Sequence, residues 1–402
     1  MILRNISRLA KCLYQGGQSE IHTVPNAALV CEGGRILWVG PESALPASLI
    51  SEHEQVDAGG RLVIPGLIDC HTHLAFGGWR ADEFVQRLQG RSYLEIAAGG
   101  GGIRRTVEAT RGLTRGQLVE RCLGFLTGFL QLGTTTVECK SGYGLDFETE
   151  LRLLRVYADL KHCQPVKIVP TFLAHVIPDD YAAQRHRYVE LLRGELIPEI
   201  ARERLAESCD VFVEKSAFSI DEARSILDTA AASGLKTRLH ADQLTDTGSA
   251  QLAADLKVLS ADHLEHVSDS GIAALRGSGV VAVSLPLASL YLGTPPMPAR
   301  RLIEAGVPVA VATDFNPGSA PSYHMPLAMM LACTLQRMTP EEALKGATIY
   351  AAKALGVEAD RGSLEEGKSA DFILIDADDV NHWLYHFRPN ACAAVYVDGR
   401  KL

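Results

Sequence analysis

The sequence has no excess of basic residues. Its 402 residues include 48 acidic side chains against 39 lysines and arginines, a formal net charge of −9. Nucleic-acid binding needs a basic face, so that class of partner is not expected. An anionic substrate would have to be held by specific local cations against an unfavourable overall field. Long apolar runs are also missing. None reaches the 18 residues of a membrane span, so no membrane partner is expected. The opening stretch MILRNISRLAKCLYQGG has neither a long apolar segment nor a cleavage site, and the expected location is the cytoplasm. The nine cysteines are dispersed, odd in number and never spaced CxxC. They read as free thiols in a reducing compartment. No spaced-glycine phosphate loop follows an early strand, which argues against an open doubly wound sheet.

What is present is a folded composition, 47% hydrophobic with 36 Gly and 18 Pro. Near the start, AALVCEGGRILWVG reads as two short strands around Gly33 and Gly34, and VDAGGRLVIPG as two more. The end is similar, with SADFILIDADD and ACAAVYVDGRKL as short apolar runs bounded by turns. Neither end can bury much core alone. The reading is one small β domain built from residues 1–65 and 363–402, with residues 66–362 inserted as a large domain.

The middle alternates strand-like and helix-like stretches. Eight apolar runs are read as strands: RLVIPGLID (61–69), TTTVECK (134–140), VKIVPTFLA (166–174), DVFVEKS (210–216), LKTRLHA (235–241), LSADHLEH (259–266), VVAVSLP (280–286) and VPVAVATD (307–314). Helical patterns such as ETELRLLRVYADLKHC (148–163) lie between them. Near-continuous apolar strands alternating with helices predict an α/β fold, a parallel sheet closed into a (β/α)₈ TIM barrel.

On this frame the metal-binding residue types fall at strand ends. His71 and His73 follow the first run in IDCHTH, His240 ends the fifth, His263 the sixth, and Asp314 the eighth. A barrel gathers its strand ends on one face, so these residues converge whatever their spacing in sequence. Three imidazoles and one carboxylate (His71, His73, His240 and Asp314) suit zinc or iron, which would activate a water for hydrolysis. His263 reads as a proton-transfer residue, with a fifth-ligand role as the alternative. Lys215 lies near the place where a modified lysine could bridge a second ion; without that bridge, one ion is expected.

Other polar residues surround the same mouth. Arg80, in FGGWR, can grip a carboxylate with both guanidinium nitrogens. Arg91 reads as a solvated surface charge, and Tyr93 lies close by. AAGGGGIRRTVEATR (97–111) carries four consecutive glycines. Tyr143, His175, Gln243, Asn316, Gly318 and Ser319 follow other strands in loops.

The stretches PGLIDCHTHLAFGGWR, AAGGGGIRRTVEATR, TTTVECKSGYG, FLAHVIP, LHADQL, SADHLEH and ATDFNPGS together resemble the imidazolonepropionases, amidohydrolase-superfamily enzymes of histidine degradation. The resemblance spans nearly the whole chain, and FGGWR, ECKSGYG and DFNPG are its most specific parts. It implies a distorted (β/α)₈ barrel of the metal-dependent hydrolase type, with a small β-sandwich from both chain ends. It also implies hydrolysis of the cyclic amide of 4-imidazolone-5-propanoate to N-formimidoyl-L-glutamate, by attack of metal-activated water on the ring carbonyl. One Zn²⁺ or Fe³⁺ per chain would be held by His71, His73, His240 and Asp314. Arg80, Tyr143, His175, Asn316, Gly318 and Ser319 would line the site of this carboxylate-bearing heterocycle, His263 would be catalytic, and a homodimer is expected. Ser319 stands where the family has a substrate-binding threonine. Some members carry a proton-transferring glutamate at the position of Gln243. An amide can hydrogen-bond to substrate but cannot act as a base, so the proton chemistry is expected to fall on His263 and Asp314.

Overall fold

The computed structural model describes residues 1–91, 95–96 and 99–402; Tyr93 and the first two residues of the 97–111 stretch lie outside the described residues. The chain opens with β1 (Ile2–Ala10), β2 (Thr23–Glu32), β3 (Arg35–Pro41), β4 (Gln55–Asp57) and β5 (Leu62–Pro65). The barrel strands are β6 (Leu67–Asp69), β7 (Thr134–Lys140), β8 (Lys167–Ala174), β9 (Ser208–Phe212), β10 (Lys236–Ala241), β11 (Ser260–His263), β12 (Val281–Ser284) and β13 (Val309–Val311). The chain closes with β14 (Phe372–Ile375), β15 (Cys392–Val397) and β16 (Arg400–Lys401).

Strands β6 to β13 pair in sequential order, every pair parallel. The ring closes at its C-terminal end. Thr72 and Phe315 form a parallel bridge, and the Asp314 and His73 amides donate to His71 O at 3.0 Å and Phe315 O at 2.8 Å. Asp69 adds a side-chain clasp by accepting from the Thr313 amide at 3.1 Å and its hydroxyl at 2.5 Å. The expected α/β barrel is therefore present. Helices cover it outside, and both faces of its strands are buried.

The helices follow from local signals. Thr114 and Gln117 form a capping box that starts the helix Arg115–Gln131, whose Leu118, Cys122, Leu126 and Phe129 make one buried stripe. Ser219 and Glu222 do the same for the helix Ile220–Ala232. Asp146 caps the helix Phe147–Cys163 by accepting from the Thr149 amide at 2.7 Å.

The two chain ends meet in a separate mixed sheet, ordered β16-β15-β14-β5-β1-β2-β3 with β4 beside β1. It has its own core, including Leu3, Ile6, Leu29, Ile36, Val63 and Phe372. The run read as one strand over 61–69 divides at Gly66: β5 pairs with β14 in this sheet, and β6 enters the barrel. Strand β1 has no counterpart in the sequence reading. Its register slips between Leu3 and Ile6, with Asn5 at φ +56°, and the bulge breaks the period-two pattern that marks a strand.

One close approach positions the loop after β6. A β-carbon on Gly77 would lie 2.4 Å from the carbonyl carbon of Ala109, while the Gly77 amide donates to Thr110 Oγ1 at 2.8 Å. Gly77→Ala must push the helix Ile103–Arg111 off this loop. The expected loss of stability is about 1–3 kcal/mol, as for overpacking generally, measured by chemical denaturation; an unchanged midpoint would contradict the close fit.

Candidate metal and active centre

The site forms where the barrel strands end. His71 and His73 follow β6, His240 lies in β10, His263 ends β11, and Asp314 follows β13. One atom from each of His71, His73 and His240 lies within 4.8 Å of the others, as does one from each of His71, His263 and Asp314. Asp314 Oδ1 stands 3.3 Å from His73 Nε2 and 3.5 Å from His71 Nε2. Asp314 and His263 are held at φ +57° and +83°, a conformation side chains avoid unless their surroundings impose it.

Two of the histidines, His71 and His240, are oriented by their other nitrogen, whereas the buried Nδ1 of His73 has no hydrogen-bond partner. Asp262 Oδ2 is 2.6 Å from His71 Nδ1, and Asp210 Oδ1 is 3.0 Å from His240 Nδ1. The Nε2 atoms of both rings are buried and have no hydrogen-bond partner. Such orphaned nitrogens are costly in a dry interior. Two of them beside His73 and the Asp314 carboxylate fit a metal ion of borderline softness, and the carboxylate behind each imidazole is the usual outer support of such ligands. Burial, with His71 next to it, holds His240 well below the ordinary imidazole range despite Asp210, and burial likewise lowers His73. Neutral rings keep the lone pairs that metal binding requires. His71 differs: burial and Lys140 pull its pKa down, but the carboxylates of Asp262 and Asp314 outweigh them.

Under this cluster lies a layer of charge inside the barrel. Lys140 Nζ donates to Glu138 Oε1 at 2.9 Å and to Asp210 Oδ2 at 2.7 Å. Arg238 donates to Asp262 Oδ2 at 2.9 Å, to the Cys70 carbonyl at 2.7 Å and to Ser260 Oγ at 2.9 Å. Its third nitrogen lies 3.2 Å from Glu138 Oε1. All five charged residues are fully buried. Burial alone would raise the Asp210 and Asp262 pKa values. Instead both are lowered, Asp210 mainly by His240 and Lys140, Asp262 mainly by Arg238 and His71. The sequence reading missed this layer. Its signal was available: Glu138 with Lys140, and Arg238 with His240, stand two apart in barrel strands, so each pair shares a face.

The other sequence-read residues fall around this centre as follows. Tyr143 and His175 lie beside His73, with ring centroids at 5.7 and 5.6 Å. Glu150, another residue the sequence reading passed over, holds the Tyr143 loop by accepting from the amides of Gly142, Gly144 and Leu145 at 2.7–2.9 Å. His175 Nδ1 lies 3.1 Å from the Gly142 carbonyl, which can only accept, so Nδ1 carries the proton. Burial, aided by His73, pushes the His175 pKa down to about 3.

Asn316 folds the loop after β13: its Oδ1 accepts from the Gly318 and Ser319 amides at 2.7 and 2.8 Å, and its Nδ2 donates to Asp314 O at 2.6 Å. Ser319 Oγ reaches Asp314 Oδ2 at 3.4 Å. Arg80 lies across Gly318, where a β-carbon would sit 1.3 Å from its Nη2. Arg80 thus joins, through one short loop, the carboxylate at the metal-type cluster. Gln243 is half-buried three residues past His240, in a loop anchored by Glu214, which accepts from the Leu244 and Thr245 amides at 3.1 Å. Lys215 is exposed beyond the end of β9, and Glu214 bonds to its backbone amide. Arg91 is exposed and donates to Gln86 at 2.9 Å.

The fold and this cluster define the class. The profile of the amidohydrolase family matches residues 62–402, and the chain belongs to that family. Solved structures agree on the fold. A triazine hydrolase from Arthobacter aurescens superposes with a TM-score of 0.76 at 18% identity, covering 100% of this chain and 94% of that one. An adenosine deaminase from Xanthomonas campestris with bound zinc gives 0.69 at 18%, covering 100% and 92%.

Sequence relatives are narrower. An imidazolonepropionase of Anaeromyxobacter sp. (strain K) is 46% identical, covering 100% of this chain and 95% of the relative. One of Symbiobacterium thermophilum is also 46% identical, covering 94% and 90%. One of Pseudomonas savastanoi pv. phaseolicola is 47% identical, covering 90% and 91%. Within the amidohydrolases, this chain is one of the imidazolonepropionase family.

The geometry assigns Asp210 and Asp262 to support of the metal centre. Asp210→Asn and Asp262→Asn are each expected to weaken metal binding by about 10–100-fold, and His73→Ala to abolish it, as read by metal content after dialysis against a graded chelator. Metal retention equal to the parent in both aspartate variants would remove that role.

Proposed function

We propose that the chain hydrolyses the ring amide of 4-imidazolone-5-propanoate to N-formimidoyl-L-glutamate, in the degradation of histidine. The observation that carries this reading is the position of Arg80. A guanidinium suited to a substrate carboxylate lies on Gly318, and Ser319 next to it bonds to Asp314 of the cluster. The relatives at 46–47% identity support the same reading.

In this proposal His71, His73, His240 and Asp314 hold one Zn²⁺ or Fe³⁺. Bound there, the ion lowers the pKa of a water and polarises a carbonyl. The exposure of Lys215 supports a single ion, because a bridging group made from it would have to be buried among the ligands. Arg80 grips the propanoate, and Tyr143, neutral His175, Gln243, Asn316, Gly318 and Ser319 orient the ring. Asp314 takes the proton of the attacking water and delivers it to the leaving ring nitrogen, as general acid–base catalysis requires. His263 accepts the other proton of the water at Nε2, and the N–H so formed stabilises the charge that develops on the carbonyl oxygen, a contribution largest in a dry, preorganised site. Gln243 donates or accepts hydrogen bonds and takes no proton. The unpaired cysteines, five of the nine fully buried, suit a reducing cytoplasm. No helix among the described residues is long and apolar enough to cross a membrane.

The test compares imidazolonepropanoate with purines and pyrimidines on the metal-loaded protein. Turnover of the first and none of the bases is expected; turnover of a base alone would overturn the proposal. A second measurement concerns the carboxylate grip. Arg80→Ala and Gly318→Ala should both raise KM, the alanine by displacing the guanidinium, with a loss in kcat/KM of about 10–100-fold for a charge-assisted contact of 1.5–3 kcal/mol. Metal content should match the parent; its loss in the Arg80 variant would sink the role given to that residue.

A further inference from the structure

We infer that Glu265 is the positioning residue of His263, fixing which of its nitrogens faces the reaction. The inference rests on the function proposed above for His263. His263 and Leu264 both have positive φ, +83° and +62°. Two consecutive left-handed residues other than glycine are a strained turn. Here the turn brings the chain back so that Glu265 Oε1 lies 3.3 Å from His263 Nδ1. Ser289, in the helix Pro286–Leu292, donates to the same oxygen at 3.5 Å. The Glu265 side chain is only 5% exposed, and its second oxygen is buried with no hydrogen-bond partner. A carboxylate taken out of water with half its hydrogen bonds unmade is costly.

The arrangement repeats a pattern. His71 has Asp262 on its Nδ1, and His240 has Asp210. His263 lies within the same group, its ring centroid 5.5 Å from His71, edge-on, and 5.4 Å from His240, tilted. An acceptor on Nδ1 places the proton there and leaves Nε2 as the working atom. With a neutral amide at 243, Glu265 is the carboxylate that supports proton handling through His263.

The test uses Glu265→Leu, Glu265→Gln and Ser289→Ala in the metal-loaded enzyme. Three readouts are taken: steady-state kinetics on imidazolonepropanoate, metal content, and ¹⁵N NMR of the imidazoles, with His263→Gln to assign the signal. Leucine should lower kcat about 10–100-fold, the usual effect of losing such a support, with KM and metal content unchanged. Glutamine keeps an acceptor oxygen and should restore most of kcat, and Ser289→Ala should lower kcat by a smaller factor. The parent should show His263 protonated at Nδ1, a state kept in the glutamine variant and lost in the leucine variant. Three results would each overturn the inference: kcat of the leucine variant within twofold of the parent, a glutamine variant as slow as leucine, or a parent His263 protonated at Nε2. Should Glu265→Leu fail to fold, Ser289→Ala and Glu265→Gln carry the comparison. Should the parent not turn over imidazolonepropanoate, the proposed substrate falls while the NMR result still decides the role of Glu265.

Discussion

Five charges that never meet water lie beneath the ligand cluster. Glu138, Asp210 and Asp262 are shared between Lys140 and Arg238, and each has been stripped of its hydration. Such a set holds only when complete. Removing one partner leaves an uncompensated buried charge, at a cost of about 3–5 kcal/mol. The same set faces upward: Asp262 and Asp210 also bond to His71 and His240. Two imidazoles thereby gain a fixed tautomer and a fixed direction from a layer that cannot relax. The direction of these two imidazoles is therefore set by the barrel interior, while His73 and Asp314 are placed by the loops after β6 and β13.

The loop after β13 joins recognition to chemistry by another route. Asp314 lies at the cluster, Asn316 ties back to it through the main chain, and Gly318 leaves room for a guanidinium to lie flat. In four residues the chain passes from the carboxylate of the cluster to the resting place of the Arg80 guanidinium. The missing side chain at Gly318 is as much a part of that arrangement as the charged group it admits.

Much of this was legible in the sequence. The eight barrel strands were read as apolar runs, because strands buried on both faces are nearly uninterrupted. The residues of the cluster were found because a barrel gathers strand ends irrespective of spacing. What stayed hidden has physical reasons. Strand β1 was masked by a bulge at Asn5 that breaks its alternation. The interior charges sat within runs counted as apolar, and which cation meets which carboxylate depends on strand stagger, which one-dimensional spacing does not contain. Glu265 fell inside the run read as a strand over 259–266, whereas the strand ends at His263 and the two left-handed residues turn Glu265 back onto it.

The joining of both chain ends in one sheet has a consequence for how the molecule is made. β5 lies between β1 and β14, and β14 begins some 300 residues later. During synthesis the first five strands emerge early, but one edge of β5 stays open until the whole barrel has left the ribosome. An unpaired strand edge invites pairing with other chains, and domains assembled from distant segments mature late. Strand β14 therefore acts as the latch on β5, and a nascent chain cut short anywhere in the barrel would carry an open edge.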